Sequence, residues 1–261
     1  MTNLYIGNEE QYSLLKIITI WAVVAIPMPI LAFWGAPALA AGLEINPLLM
    51  VWFVLIGGMI WQFILSVFLL YVELNEFTWV AICERIWLKK PSDPRSGKNS
   101  YKYFWWLIPA FAFYAVIELT PIVDIIGRLI LIPFPTLAEL PDLNLADLGK
   151  TNEFVGAWWL IPVAVVSCIF NYLLGEELLF RGILLPKMRG VFGKWDWVAN
   201  SVLFALYHMH RPLQMLGFIF GGLAWCLPSR HFRSIWFAII LHALEAIPLL
   251  IGVFMIVSAD S

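Results

Sequence analysis

The sequence is divided into long apolar blocks that are separated by short polar or charged loops. Apolar residues make up 62% of the chain and charged residues 13%, whereas a soluble domain has about 25% charged residues. A helix needs about 20 mostly apolar residues to cross a bilayer. The blocks therefore predict an all-α fold, a polytopic transmembrane helical bundle. They lie at about residues 17–34, 47–71, 103–123, 155–174, 198–207, 213–227 and 235–257.

We expect about seven membrane helices, with six or eight as alternatives. The block at 198–207 is short, and residues 125–133 can form an additional half-span or a re-entrant piece. The triplet Ala38-Leu39-Ala40 also permits an interpretation of the first block as a signal peptide that is cleaved after Ala40. Because that block is long for a signal peptide and further spans follow, we expect it to be retained.

The loop charges predict the orientation of the chain. Basic residues cluster between residues 85 and 102, between 187 and 194, and at Arg230 and Arg233. The loop after the third block is acidic, with Glu139, Asp142, Asp147 and Glu153 against Lys150. Basic loops stay in the cytoplasm, and all these loops agree with seven crossings, a cytoplasmic N-terminus and a C-terminus outside.

Composition supports neither nucleic-acid binding nor a structure held together by cysteines. The net charge of −2 gives no indication of nucleic-acid binding. Cys83, Cys168 and Cys226 are scattered singly, which argues against a disulfide framework or a cysteine zinc site. Each is expected to be a small buried residue.

Ionisable residues occur within or directly after the apolar blocks, where each charge costs at least ~2.5 kcal/mol and is usually functional. Glu176 and Glu177 follow the fourth block, and Arg181 comes one turn later. Glu177 and Arg181 are spaced i, i+4 and can pair on one helical face. Glu176 is offset by about 100°, so it remains available for chemistry. The alternative is a solvated helix end.

Two histidines also lie in apolar surroundings. His208 shares a helical stripe with Asn200 and Phe204, roughly 15 Å from the start of its block. His242 lies roughly 10 Å into the last block, with Glu245 and Ala246 one turn later. Each histidine alone fits a structural role, and His208 also fits a loop. The predicted topology instead brings both towards Glu176 in the cytoplasmic half of the membrane.

A carboxylate that meets two imidazoles suits proton transfer to and from water. Such a group is also a known open zinc set. The residues therefore leave two chemistries open, one with a metal and one without.

The motifs resemble those of the CPBP intramembrane proteases, also called Abi proteins, which include the eukaryotic CAAX prenyl endopeptidases. That family has EExxxR on one helix, FxxxH on a second and HxxxN on a third. Here Glu176, Glu177 and Arg181 are followed by Phe204 and His208, and then by His242. The resemblance covers about residues 155–257. It predicts residues 151–261 as the catalytic helical core and residues 1–150 as N-terminal transmembrane helices with a cytoplasmic loop, together one membrane domain.

The resemblance implies an intramembrane endopeptidase. Glu176 and His208 would activate a water molecule, and His242 would stabilise the oxyanion. Glu177 and Arg181 would form a supporting ion pair. The substrate would be a membrane-associated protein or peptide, the other partner membrane lipid, and the location a bacterial or archaeal cell membrane.

This chain departs from the family at Ala246, where an asparagine normally completes the oxyanion site. Losing such a donor costs about 10²–10³ in rate. Glu245, Asn200 or Asn171 are possible substitutes, and the sequence does not choose among them. The departure also supports a competing interpretation as an inactive scaffold or chaperone. A proton-coupled transporter is a further alternative, although the chain has no internal repeat.

No cofactor is favoured, because the sequence contains no HExxH motif. The alternative is Zn²⁺, held by Glu176 or Glu177 together with His208 and His242.

Overall fold

The computed structural model describes residues 10–141 and 143–259. In this part of the chain the secondary structure is helical apart from one isolated bridge between Ser92 and Asn99. The predicted all-α class is therefore confirmed for these residues. We number the main helices α1 (Leu14–Leu43), α2 (Pro47–Glu73), α3 (Trp79–Arg85), α4 (Leu107–Leu119), α5 (Ile122–Leu131), α6 (Leu160–Lys187), α7 (Asp196–Tyr207), α8 (Pro212–Phe232) and α9 (Trp236–Ser258).

Shorter helical turns connect these helices. Two are α-helical, at Pro135–Ala138 and Arg189–Phe192, and four are 3₁₀, at Tyr101–Trp106, Leu145–Lys150, Asn152–Phe154 and Gly193–Trp195. Asp142, which belongs to the acidic loop, lies outside the described residues, as do the first nine residues.

Five helices are long and apolar enough to cross a membrane, namely α1, α2, α6, α8 and α9. The described residues thus contain fewer helices of spanning length than the seven predicted crossings. The other two blocks form α4 and α7, with 13 and 12 residues. Helix α4 ends at Leu119. The next residue, Thr120, has the extended backbone that suits a residue before a proline, here Pro121. The segment at residues 125–133, which can form a half-span or a re-entrant piece, lies mostly in α5.

Large apolar side chains point outward from the spanning helices. Leu15 is 77% exposed and Val72 64% exposed, an arrangement that is stable only where the surroundings are apolar. With five spanning helices, the chain is an integral membrane protein.

Local signals fix where the first two spans begin. The Ser13 hydroxyl accepts a hydrogen bond from Lys16 N at 3.2 Å, which caps α1. The Asn46 side chain accepts from Leu48 N at 3.0 Å, and Pro47 occupies the first helical position of α2. These caps satisfy amides that the first helical turn leaves without partners.

The N-terminal and C-terminal helices share one hydrophobic core. Helix α8 packs against α4, α5, α7 and α9, while α2 packs against α1 and α6. Side chains join the two halves: Trp21 Nε1 donates to Leu203 O at 2.7 Å, and Trp52 Nε1 donates to Ser167 Oγ at 3.0 Å. Helices from both halves therefore surround the middle of α6.

The basic loops meet at one end of the bundle. The Ser234 hydroxyl, after α8, donates to Lys89 O, after α3, at 2.6 Å. At the opposite end, the segment before α6 meets the end of α9, where Gly156 N donates to Val257 O at 2.9 Å. The basic loops and the C-terminal end of the last helix thus lie at opposite ends.

A buried cluster of charged side chains stabilises the end of the bundle where the basic loops meet. Arg85 Nη2 and Nε donate to Glu73 Oε2 at 2.9 and 3.1 Å, and Glu73 also accepts from the Tyr12 hydroxyl. The same guanidinium donates to Gly182 O at 3.1 Å and Ile183 O at 3.2 Å. The cluster therefore joins the N-terminal segment, α2 and α3 to α6.

We predict that Arg85→Leu lowers the free energy of unfolding by about 3 kcal/mol, because it leaves two carbonyls without their donor and removes the buried guanidinium from Glu73, which keeps Tyr12 and Lys16 as partners. Lys150→Leu is the control, since Lys150 pairs with Asp147 while its side chain is 72% exposed, and exposed pairs contribute little. Tryptophan fluorescence during SDS-induced unfolding in mixed micelles measures both. Equal effects of the two substitutions contradict the prediction.

Candidate active site

Helix α6 is irregular where it carries the two glutamates. Gly175 N donates to Phe170 O, five residues earlier, at 2.6 Å, so the turn before Glu176 is wider than an α-helical turn. Such π-turns occur frequently at functional sites. Glu176 and Glu177 lie between two of them. The segments of α6 are α-helical Leu160–Ile169, π-helical Phe170–Leu174, π-helical Leu178–Leu184 and 3₁₀ Leu185–Lys187.

Gly175 allows α6 to contact the backbone of α2. A Cβ atom at this position would lie 2.5 Å from Phe170 O and 2.9 Å from Met59 O. Both distances are too short for any side chain, and both neighbours are backbone atoms. A glycine directly before Glu176 thus permits the close approach of the two helices.

Glu177 joins α6 to α9. Its Oε1 accepts from Arg181 Nη1 at 2.9 Å and from His242 Nδ1 at 2.8 Å. All three side chains are buried. The i, i+4 pair expected from the sequence is present, and His242 is a third member that spacing did not reveal. Because an ionised carboxylate only accepts, the Nδ1 atom of His242 carries a hydrogen.

Glu176 faces α7 instead. Its Oε1 lies 3.7 Å from His208 Nε2, and both residues are buried. His208 Nδ1 lies 2.9 Å from the Phe204 carbonyl oxygen, so Nδ1 is the donor and Nε2 of the neutral ring is an acceptor. The separation of 3.7 Å is too long for a direct hydrogen bond. A water molecule hydrogen-bonded to both groups would bridge this separation.

Three polar residues form a hydrogen-bonded group at the Glu176 carboxylate. Sequence reasoning missed Gln62 and Tyr207, and it considered Asn171 only as an oxyanion donor. Gln62 Nε2 donates to the Tyr207 hydroxyl at 2.7 Å, and that hydroxyl also forms a hydrogen bond with Glu176. With its amide nitrogen turned towards the carboxylate, as hydrogen bonding requires, Asn171 donates to both Glu176 oxygens at 3.0 and 3.2 Å. Gln62 was detectable as a lone amide in the second apolar block.

Phe204 and Asn200 support the site from α7. The Arg181 guanidinium lies over the Phe204 ring, 4.1 Å from its centroid, which favours the cation. Asn200 Nδ2 donates to Phe180 O at 2.8 Å, and its Oδ1 accepts from the Cys226 thiol at 3.1 Å. The amide of Asn200 is committed to these contacts, which makes it a poor substitute for an oxyanion donor.

Glu245 lies beside His242. Helix α9 is interrupted at residues 244–245, between Trp236–Ala243 and Ala246–Ser258. Glu245 Oε1 accepts from the Tyr114 hydroxyl at 2.6 Å, and its Oε2 lies 3.8 Å from His242 Nε2. The His242 ring also stacks on Trp225, with centroids 4.2 Å apart.

The alternative of a zinc site has little geometric support. Among the described residues, no group of three or more His, Cys, Asp and Glu side chains is arranged to hold a metal ion. The proposed ligands divide into two pairs, Glu176 with His208 and Glu177 with His242. Because these side chains do not converge on one point, the donor set does not fit the ion, and metal independence stays a prediction.

Residues 157–247 match the family model of type II CAAX prenyl endopeptidases, Rce1-like. The resemblance to the CAAX protease family is therefore confirmed. The matched segment contains Glu176, Glu177, Arg181, Phe204, His208 and His242. No curated protein and no solved structure matches the chain. At family level, the match supports a CAAX-type intramembrane protease.

We predict that Gly175→Ala lowers the free energy of unfolding by about 1–3 kcal/mol, because the added methyl group forces α6 away from α2. Gly57→Ala is the matched control on α2, since nothing lies within 4 Å of its added Cβ. Alanine is the better helix former, so the control should be neutral or slightly stabilising. SDS-induced unfolding monitored by tryptophan fluorescence compares them. A Gly175→Ala protein as stable as the control would show that the approach is not tight.

Proposed function

We propose that this protein is an intramembrane endopeptidase that hydrolyses a peptide bond of a membrane-associated protein or peptide. The observation that carries the proposal is the buried pair of Glu176 and His208, whose Oε1 and Nε2 atoms face each other at 3.7 Å. Both atoms are acceptors in the protonation states that their other contacts favour. A water molecule that donates to both is therefore oriented and polarised for attack.

Glu176 is the general base of the proposed reaction. It takes one proton as the water oxygen adds to the carbonyl carbon of the substrate, while the other hydrogen stays on that oxygen and is donated in a hydrogen bond to His208 Nε2. The protonated carboxyl then gives its proton to the departing amine as the C–N bond breaks. Hydrogen bonds from Tyr207 and Asn171 hold the carboxylate in place.

His242 stabilises the oxyanion in this mechanism. Glu177 fixes the ring through Nδ1, which leaves Nε2 to interact with the charge that develops on the substrate oxygen. Arg181 neutralises Glu177, so the carboxylate can accept from the ring without leaving an uncompensated buried charge.

We further infer a location in a bacterial or archaeal cell membrane, with the N-terminus in the cytoplasm and the C-terminus outside. The meeting of the basic loops at one end of the bundle, marked by the contact of Ser234 with Lys89, supports this orientation, because Lys and Arg accumulate on the cytoplasmic side. The site then lies in the cytoplasmic half of the membrane.

The test uses the purified full chain in liposomes with a library of quenched fluorescent peptides in prenylated, acylated and unmodified forms. We predict cleavage by the wild type, and a fall in kcat/KM of about 10²–10⁴ in Glu176→Gln and in His208→Ala, the range that general acid–base catalysis contributes. Glu139→Gln, which changes an exposed carboxylate, should retain the wild-type rate.

Two results would contradict the proposal. Absence of cleavage by folded wild-type protein against every peptide form would favour the scaffold or transporter interpretation. Cleavage that survives Glu176→Gln would show that the base lies elsewhere. Tryptophan fluorescence establishes that each variant is folded.

A further inference from the structure

The hydrogen bonds of His242 restrict how it can act on an oxyanion. Its Nδ1–H is already donated to Glu177 Oε1 at 2.8 Å. A neutral imidazole carries one hydrogen only, so a neutral His242 has no hydrogen on Nε2. The ring can therefore donate to a substrate oxygen only when both nitrogens are protonated.

A doubly protonated His242 needs a negative partner of its own. Glu177 is already paired with Arg181 at 2.9 Å, and an unpaired charge is costly to bury. The ring is 3% exposed. Stacking on Trp225 at 4.2 Å favours a cation, but an indole ring supplies no negative charge.

Glu245 is placed to be that partner. Its Oε2 lies 3.8 Å from His242 Nε2, close enough for electrostatic attraction to an imidazolium but beyond hydrogen-bond distance. The Tyr114 hydroxyl holds the other carboxylate oxygen at 2.6 Å. Anchored from α4, the carboxylate offers a counter-charge without occupying the Nε2–H bond, which stays available for a substrate oxygen.

Glu245 also adjoins Ala246, where the sequence lacks the amide donor of the family. We propose that Glu245 is a positioning residue that compensates for this loss by keeping His242 doubly protonated, so that Nε2–H can donate to the oxyanion. The inference rests on the proposed function. In this chain, a charged imidazolium donor takes over from the neutral amide donor of the family.

Other ionisable groups lie near the His242 ring and influence its protonation. Four of them are on α6: Glu177, which bonds to the ring, Tyr172, which contacts it, and Glu176 and Arg181. Helix α7 contributes His208, which lies beyond Glu176. These groups are unchanged in Glu245→Gln, Tyr114→Phe and Glu139→Gln, so a difference in ring protonation between Glu245→Gln and the wild type reports on Glu245.

Nitrogen NMR of the full chain in micelles, with ¹⁵N-labelled histidine, tests the protonation state without any substrate. The chain has four histidines, and His242→Gln assigns the signal. We expect His242 to be doubly protonated at pH 7, and the ratio of doubly to singly protonated ring to fall about tenfold in Glu245→Gln, the equivalent of one pH unit. Tyr114→Phe should act in the same direction, and Glu139→Gln should have no effect. A singly protonated wild-type ring, or an unchanged ratio in Glu245→Gln, would overturn the inference.

The cleavage assay supplies the second readout. We expect Glu245→Gln to lower kcat/KM at least about tenfold, and Ala246→Asn to recover activity in that background while adding little to the wild type. A merely structural role for Glu245 would not produce this selective rescue. If Glu176→Gln abolishes cleavage but Glu245→Gln does not reduce it, the inference fails and the proposed function stands. If the folded wild type cleaves nothing, the proposed function itself fails.

Discussion

The site depends on one carboxylate oxygen, Oε1 of Glu177, which accepts from both Arg181 and His242. Burying an ionised carboxylate is acceptable only where opposite charge and hydrogen bonds replace water. Arg181 supplies the charge from the same helix, and the imidazole supplies the second bond from α9. The interaction therefore fixes the position of a histidine and allows a second glutamate, Glu176, to lie directly beside it.

Two adjacent glutamates have different tasks because their side chains leave the helix in different directions. In a regular helix, successive side chains diverge by about 100°, which sends Glu177 towards α9 and Glu176 towards α7. The wide turns on either side adjust this direction, and Gly175 brings the backbone against Met59. Helix α2 thus supports the site from outside the segment that matches the family, and it also contributes Gln62.

The sequence predicted the parts of this arrangement that depend on local spacing. The apolar blocks became helices, and the i, i+4 spacing of Glu177 and Arg181 became an ion pair. It placed both histidines beside Glu176, whereas His208 faces Glu176 and His242 bonds to Glu177, because spacing does not set the side-chain directions across the π-turns. The described residues contain five helices of spanning length rather than the seven expected, since the break before Pro121 shortens α4. Asn200 lay on the expected stripe, yet its amide bonds to Phe180 O because the stripe faces α6 as well as the site.

The absence of an asparagine at Ala246 can be understood together with the neighbouring Glu245. A neutral amide donates equally well at any pH, whereas an imidazolium donates from Nε2 only while it keeps its second proton. A charged donor forms a hydrogen bond roughly twice as strong as a neutral one, and a low-dielectric site strengthens it further. Carboxylate and imidazolium together carry no net charge, so the bundle bears no additional buried charge in the resting state. The exchange would therefore preserve the electrostatic balance of the site and make its oxyanion donor sensitive to pH.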